Sequence, residues 1–196
     1  MSARSLIVVS AALAIATAVA LGAYSLYREI AGGATTGVAA IGGPFSLVDH
    51  TGRRVSEADF RGKHELIYFG YTFCPDVCPT ELAVMSQALD LLGDQASKVT
   101  PIFITVDPAR DTVPVMAEYR QHFHPSLVAL TGSEAEIAAA AKAFRVYFAK
   151  AGEDDENYLL DHSSFVFLMD EAGRYLTHFG PNTSADVMAR RIRELL

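Results

Sequence analysis

Cysteine is scarce in this sequence, and basic residues are outnumbered by acidic ones. The chain has 196 residues and two cysteines, too few for a small protein that is held together by several disulfides. Sixteen Lys and Arg against 23 Asp and Glu leave no excess of basic charge to neutralise the phosphates of a nucleic acid. Gly and Pro are not enriched and 51% of the residues are apolar, which excludes collagen-like, coiled-coil and disordered chains. The length suits one globular domain with a short appendage.

The N-terminal segment has no charged residue between Arg4 and Arg28. The apolar run 5–27 is 23 residues long, and about 20 residues suffice for a helix to cross a bilayer. The Ala-Val-Ala sequence at 18–20 also suits a signal peptidase, so a cleaved signal peptide remains an alternative. Because the apolar run continues past that site, we expect residues 1–30 to form a single N-terminal membrane anchor.

The sequence around the predicted anchor indicates export. The few charges favour an N-terminus inside and a domain outside, and no Arg- and Ser-rich transit peptide precedes the apolar run. No cysteine lies near the span, which excludes a lipid-anchored lipoprotein. We therefore expect a protein of the bacterial inner membrane with its soluble domain in the periplasm. Residues 31–43, rich in Gly, Ala and Thr, predict a flexible tether.

The remaining residues, 44–196, predict an α/β domain. Short, nearly all-apolar runs at 65–71 and 101–107 are typical of buried strands. Residues 79–92 carry apolar side chains at helical spacing, and Ser133 with Glu136 forms the sequence of a capping box. The whole order is hairpin, β, α, β, α, β, α, hairpin, α. Such alternation predicts a mixed central sheet with flanking helices and added hairpins.

Cys74 and Cys78 lie between the first buried strand and the first long helix, at the edge where open α/β sheets bind ligands. Pro79 restricts the start of that helix to the neighbourhood of Cys78. Both thiols should then lie near a helix N-terminus, whose partial positive charge favours the thiolate. Their spacing is compatible with a disulfide and equally with two sulfurs on one metal ion.

A metal site with two sulfur ligands needs further ligands, and the chain has six histidines. His162 stands just before the predicted strand 165–169, and we expect it in a loop that enters this strand opposite the cysteines. Asp161 could order that loop or orient the imidazole. His122 and His124 are a rival pair, which we interpret as surface residues in a turn. Two thiolates and an imidazole suit copper slightly better than zinc, which the same ligands would also accept.

Three stretches of this sequence resemble those of a known family: Tyr-Thr-Phe-Cys-Pro-Asp-Val-Cys-Pro at 71–79, Thr-Val-Asp-Pro-Ala-Arg-Asp-Thr at 105–112 and Asp-His-Ser at 161–163. They look like the signature stretches of the SCO/SenC proteins, which are membrane-tethered copper proteins of cytochrome c oxidase assembly. The resemblance runs from about residue 44 to the C-terminus. It implies a thioredoxin-like fold.

The resemblance also implies a site and a role. Cys74, Cys78 and His162 would bind one copper ion, as Cu(I), Cu(II) or both, with Asp161 as a supporting residue. The protein would carry copper to the dinuclear copper site of cytochrome c oxidase subunit II or a related copper protein. It would then be a metal carrier more than an enzyme. The alternative is a thiol–disulfide oxidoreductase that reduces the cysteines of that subunit.

Three features of the sequence favour the carrier, and the first is that a histidine, His162, occurs at a plausible ligand position. Three residues separate the cysteines, where thioredoxin-like redox sites have two. Residues 151–164 contain no proline, whereas thioredoxin-like oxidoreductases place a cis-proline before the corresponding strand. We interpret Asp107 as part of a turn that the side chains of Arg110 and Asp111 hold in place. All three residues are left outside the site.

Overall fold

The computed structural model describes residues 16–17, 19–25, 41–152 and 157–196. Most of the predicted anchor at 1–30 and of the tether at 31–43 lies outside the described residues. So does the acidic run 153–156, which the sequence favours as a solvated loop. Residues 16–17 and 19–25 are helical. Among the described residues, no helix combines the length and the apolar character needed to cross a membrane.

Strands and helices alternate through the first part of the domain and give way to hairpins in the second. The strands are β1 (Ser46–Asp49), β2 (Arg54–Ser56), β3 (His64–Gly70), β4 (Val99–Thr105), β5 (Val128–Thr131), β6 (Phe148–Ala151), β7 (Leu159–His162), β8 (Val166–Met169) and β9 (Tyr175–Phe179). The helices are α1 (Val77–Leu92), α2 (Val113–Tyr119), α3 (Glu134–Phe144) and α4 (Ala185–Leu195). Short 3-10 turns at Glu57–Phe60, Gly93–Lys98 and Arg120–His122 complete the path.

Within the described domain, seven strands form one mixed sheet in the order β2-β1-β5-β4-β3-β8-β9. The central strands β3, β4 and β5 are parallel, while β8 and β9 on one side and β1 and β2 on the other are antiparallel to their neighbours. This is the mixed sheet with flanking helices and added hairpins that the sequence predicts. The strands β6 and β7 form a separate two-stranded sheet.

The core explains why β3 lies inside the sheet and not at its edge. All seven residues of β3 are buried, as expected for a strand that is covered on both faces. Ile67 pairs with Ile102 of β4 on one side and with Phe167 of β8 on the other. On one face of the sheet, α1 packs against α4, and its buried residues at helical spacing belong to the core, among them Leu82, Met85, Leu89 and Leu92.

Local signals set the ends of several elements as predicted. The Ser133 hydroxyl accepts from the Glu136 N–H, and the Glu136 carboxylate accepts from the Ser133 N–H at 2.8 Å, which is the expected capping box. The predicted C-terminal hairpin forms from β8 and β9, with Gly173 at a φ of 70° in its turn. The pair β6 and β7 is not among the sequence-based expectations.

Candidate metal centre

The loop between β3 and α1 carries both cysteines. Tyr71, the first residue after β3, accepts a hydrogen bond on its carbonyl from the N–H of Cys74 at 3.3 Å. Helix α1 begins at Val77, so Pro79 lies in its first turn, where the missing N–H has no helical partner to lose. The N–H of Cys78 lies 3.4 Å from the Cys74 sulfur and donates to it. Cys78 is buried, Cys74 is half-buried, and both are free thiols.

Gly70 makes room for the buried sulfur. A Cβ atom at this position would lie 2.9 Å from Cys78 Sγ and 3.0 Å from a ring carbon of Tyr68. Both distances are shorter than ordinary van der Waals contacts. The last residue of β3 therefore has to be glycine if the first turn of α1 is to place its cysteine against the sheet.

His162 is the last residue of β7, and this corrects the expectation that it lies in a loop entering the strand at 165–169. It pairs with Phe148 across the two-stranded sheet. The next residue, Ser163, continues the connection, since its N–H donates to the carbonyl of Tyr147 and its hydroxyl accepts from the N–H of Tyr147. Strand pairing therefore fixes the histidine more firmly than a loop would.

Hydrogen bonding assigns the tautomer of His162. Its Nδ1 lies 3.1 Å from the carbonyl oxygen of Ser163, which can only accept, so Nδ1 carries the proton. The other nitrogen, Nε2, therefore has a free lone pair. It points at Cys78 Sγ, 3.3 Å away. A metal-binding histidine is commonly held in this way by a carbonyl behind the ring.

The sulfurs of Cys74 and Cys78 and the ring nitrogen of His162 all lie within 4.8 Å of one another. Ligands about 2.0–2.3 Å from a metal ion are roughly 3.5–4 Å apart, so a small contraction would close this group around one ion. The three predicted residues are thus brought together, although 84 residues separate Cys78 from His162 in the sequence. Their roles as ligands stay a prediction.

Burial shifts the pKa values of Cys78 and His162. Burial raises the pKa of Cys78, and this outweighs the hydrogen bond from the Tyr71 backbone, which acts in the opposite direction. The expectation that the helix N-terminus favours the thiolate is therefore wrong for Cys78, because its sulfur faces the core. Burial lowers the pKa of His162, so the imidazole is neutral at pH 7. A metal ion that binds here would displace a proton from Cys78.

Two tyrosines and one carboxylate surround His162. The imidazole packs edge-on against the rings of Tyr68 and Tyr71, with centroids 6.1 and 5.9 Å away. Asp161 is exposed and pairs with Ala149 in the hairpin, and its charge raises the pKa of His162 against the larger effect of burial. Because Ser163 occupies Nδ1, a supporting role for Asp161 would act through charge and strand pairing. That role stays a prediction.

The stretch at 105–112, set outside the site by sequence reasoning, is tied to the cysteine loop. The Asp111 carboxylate accepts from the N–H of Thr72 at 3.0 Å, from the Thr72 hydroxyl and from the hydroxyl of Thr105. Asp111 is completely buried, so these bonds hold a carboxyl group inside the protein. The signal for this connection was present in the sequence, because the stretch is one of the three that carry the family resemblance.

The other histidines lie elsewhere. His122 is exposed at the end of a 3-10 turn, and His124 bonds to Ser126, which agrees with their interpretation as surface residues. His50 is in a turn, His64 begins β3 and His178 is in β9. None of these five belongs to the group of potential ligands found among the described residues.

Known proteins share this fold and sequence. The structure of Bradyrhizobium japonicum ScoI with copper bound matches with a TM-score of 0.75 and 43% identity over 80% of this chain and 100% of that one. Arabidopsis thaliana ScoI with copper bound has the same TM-score and identity, over 79% of this chain and 97% of that one. Protein sco1 of Schizosaccharomyces pombe is 50% identical over 163 residues, which is 81% of this chain and 62% of the relative.

Fold and site together define a thioredoxin-like protein with two cysteines and a histidine that could hold a metal ion. The family model described as SCO1/SenC matches residues 33–196. The chain belongs to the SCO1/SenC family, as the three sequence stretches predict. It spans 62% of the length of the Schizosaccharomyces pombe relative and 46% of the Arabidopsis thaliana SCO1 homolog 1.

Proposed function

We propose that this protein is a copper carrier that binds one copper ion through Cys74, Cys78 and His162 and delivers it to the dinuclear copper site of cytochrome c oxidase subunit II. The observation that carries the proposal is the convergence of two sulfurs and one imidazole nitrogen within 4.8 Å. Copper-bound structures of relatives 43% identical to this chain support copper over zinc. Thiolates select Cu(I), and imidazole also suits Cu(II).

Charge balance lets this set of ligands hold either oxidation state. Two thiolates, one neutral imidazole and Cu(I) sum to −1, and the same ligands with Cu(II) sum to zero. Neither total leaves a large uncompensated charge in a half-buried site. The neutral imidazole follows from the lowered pKa of His162. The site can therefore hold copper as Cu(I) or as Cu(II).

The shape of the site indicates the order in which the ligands release the copper ion. A cleft of about 260 Å³ is lined by Cys74, His162 and Leu159 among others, whereas Cys78 is buried beneath it. An incoming ligand of the partner reaches the ion from the cleft and first exchanges with the half-exposed Cys74. The buried Cys78 releases the ion last and takes back a proton as it does so.

The predicted anchor supports a place of action. The apolar run 5–27 would hold the domain at the outer face of the bacterial inner membrane, close to a membrane-bound oxidase. This part of the proposal rests on the sequence alone. It is tested by fractionating cells that express the full chain: recovery in the membrane fraction, accessible to protease added to spheroplasts, is expected. Recovery in the soluble cytoplasm would contradict it.

One observation favours a second function, thiol–disulfide exchange. Both thiols are free and close together, and Cys74 is the more accessible of the two. The Cys74 thiolate would attack a disulfide of the partner and release one partner thiolate. Cys78 would then lose its proton and displace the second, so that one disulfide forms here as one is reduced there. The raised pKa of Cys78 disfavours the thiolate that this second step needs.

An anaerobic Cu(I) titration of the reduced full-length chain in competition with bicinchoninate tests the proposal. The wild type should bind one equivalent, Cys78→Ser should lose binding and His162→Ala should weaken it by at least about tenfold. His122→Ala, an exposed histidine outside the group, is the matched control and should bind as the wild type does. Failure of the wild type to bind Cu(I) would contradict the carrier function and favour thiol–disulfide exchange with the oxidase subunit.

A further inference from the structure

Arg110 lies between the two segments that supply the proposed ligands. Its guanidinium carbon is 4.6 Å from the centre of the Phe73 ring and 3.7 Å from the centre of the Tyr158 ring. Phe73 directly precedes Cys74, and Tyr158 directly precedes the strand that ends in His162. One planar cation therefore packs against both the cysteine loop and the histidine hairpin, at distances typical of cation–π contacts.

Hydrogen bonds fix the guanidinium in this position. Its Nε donates to the carboxylate of Asp107, and its Nη1 donates to the backbone carbonyl of Tyr158 at 3.0 Å. The Tyr158 hydroxyl donates to the other carboxylate oxygen of Asp107 at 2.6 Å. The three residues thus form a closed ring of bonds. The side chains of Arg110 and Asp107 are 22% and 4% exposed, so solvent screens this ion pair far less than a surface pair.

Side-chain contacts of this kind join the hairpin to the rest of the domain. In the described part of the chain, β6 and β7 pair with each other and with no strand of the large sheet. A second contact is the N–H of Leu160, which donates to the Tyr71 hydroxyl at 3.1 Å. Arg110 itself belongs to a well-held segment, because the neighbouring Asp111 bonds to Thr72 in the cysteine loop. Arg110 can therefore hold the hairpin at a fixed position relative to the large sheet.

We infer that Arg110 is a positioning residue that holds the hairpin against the cysteine loop, so that His162 Nε2 stays within reach of the two sulfurs. The inference rests on the proposed function for its copper readout and on geometry alone for its structural readout. Arginine is suited to this role because its planar group stacks on rings while it donates in several directions, which lysine cannot do.

A double-mutant cycle tests whether Arg110 acts through His162. Cu(I) affinity is measured by competition with bicinchoninate for Arg110→Met, His162→Ala and the double variant of the full-length chain. Arg110→Met should weaken Cu(I) binding roughly 10–100-fold in the wild-type background and by less than about twofold beside His162→Ala. The matched control is Arg120→Met, which removes a half-buried arginine whose bonds go to the carbonyls of Leu127 and Pro125. It should leave the affinity unchanged.

Amide hydrogen exchange of the copper-free chain provides the independent readout. Arg110→Met should speed exchange at the N–H of Leu160 by roughly tenfold or more, while that of Ile102 in β4 stays as in the wild type. Unchanged exchange at Leu160, or equal weakening of Cu(I) binding in both backgrounds, would overturn the inference. If the wild type binds no copper, the proposed function fails, and exchange at Leu160 still decides whether Arg110 positions the hairpin.

Discussion

The two halves of the candidate copper site are built in different ways. The cysteines lie between a fully buried central strand of the large sheet and a 16-residue helix packed on it. The histidine ends a four-residue strand of a separate two-stranded sheet. Backbone pairing and core packing fix the first half, whereas side chains such as Arg110 and Tyr71 hold the second. A site with one rigid and one attached half suits a carrier, since the ion must be held and then released.

The pH dependence of stability should change in the core without a change in copper binding. Burial raises the pKa of Glu65 in β3 to about 7, although Arg61 lies 3.1 Å away. A carboxyl group with a raised folded pKa binds protons more tightly in the folded state, so its cost to stability grows as pH rises from about 4.5 to 7. Glu65→Gln removes this cost. Relative to the wild type, the variant should gain up to about 3 kcal/mol in unfolding free energy between pH 5 and pH 8.

Urea unfolding at the two pH values measures this difference, and Cu(I) affinity at fixed pH should be the same in both proteins. A difference in unfolding free energy that does not change with pH would show that Glu65 is ionised in the folded state throughout. An altered copper affinity would mean that the core and the site are coupled along β3.

On the rigid half, a single methyl group should disturb stability and copper binding together. Gly70→Ala forces a Cβ to within 2.9 Å of Cys78 Sγ, and overpacking of this kind costs about 1–3 kcal/mol. The same shift of the sulfur should weaken Cu(I) binding. Gly180→Ala is the matched control, since its nearest neighbour would be Phe165 at 4.0 Å. Thermal unfolding of the copper-free chain measures the stability, and a parallel Cu(I) titration measures the affinity. A Gly70→Ala variant with the stability and affinity of the wild type would contradict this prediction.

On the attached half, loss of the ligand should leave the fold almost intact. His162→Ala removes edge-on contacts with Tyr68 and Tyr71, which are worth about 1 kcal/mol. The copper-free variant should therefore unfold within a few degrees of the wild type, although its Cu(I) affinity falls. A large drop in the midpoint of thermal unfolding would show that His162 is needed for the stability of the fold, so the two halves would not differ in this respect.

The smallest effect is expected at Asp161. It is exposed and acts on His162 through charge, and exposed charges contribute about 1 kcal/mol or less. Asp161→Asn should therefore weaken Cu(I) binding by less than about fivefold, and added salt should reduce the difference. A loss as large as that in His162→Ala would show that Asp161 positions the histidine directly.

Local signals in the sequence were enough to predict the rigid half. The apolar run at 65–71 gives β3, and Pro79 sets the start of α1 to within two residues. Both features place the cysteines at the edge of the sheet. What they could not show is that Cys78 faces the core, because the direction of its side chain depends on Gly70 and on the packing of α1.

The attached half could not be derived in the same way. The strands β6 and β7 have four residues each, and their sequences, Phe-Ala-Lys-Ala and Leu-Leu-Asp-His, do not alternate strictly between apolar and polar residues. They pair with each other, and Arg110 and Tyr71, which are distant in the sequence, bind Tyr158 and Leu160. Its position just before the predicted strand 165–169 made His162 a candidate, and the family resemblance implied its role as a ligand. The strand that carries it and the arginine that holds it follow only from the structure.

X-ray absorption spectroscopy of the Cu(I)-loaded, reduced full-length chain would identify the ligands, because it counts the sulfur and nitrogen atoms around the metal. Two sulfur ligands and one nitrogen ligand are expected in the wild type. In His162→Ala the nitrogen should be lost while both sulfurs remain. A wild-type site with sulfur ligands alone, or one whose nitrogen persists in His162→Ala, would show that His162 does not bind the copper ion.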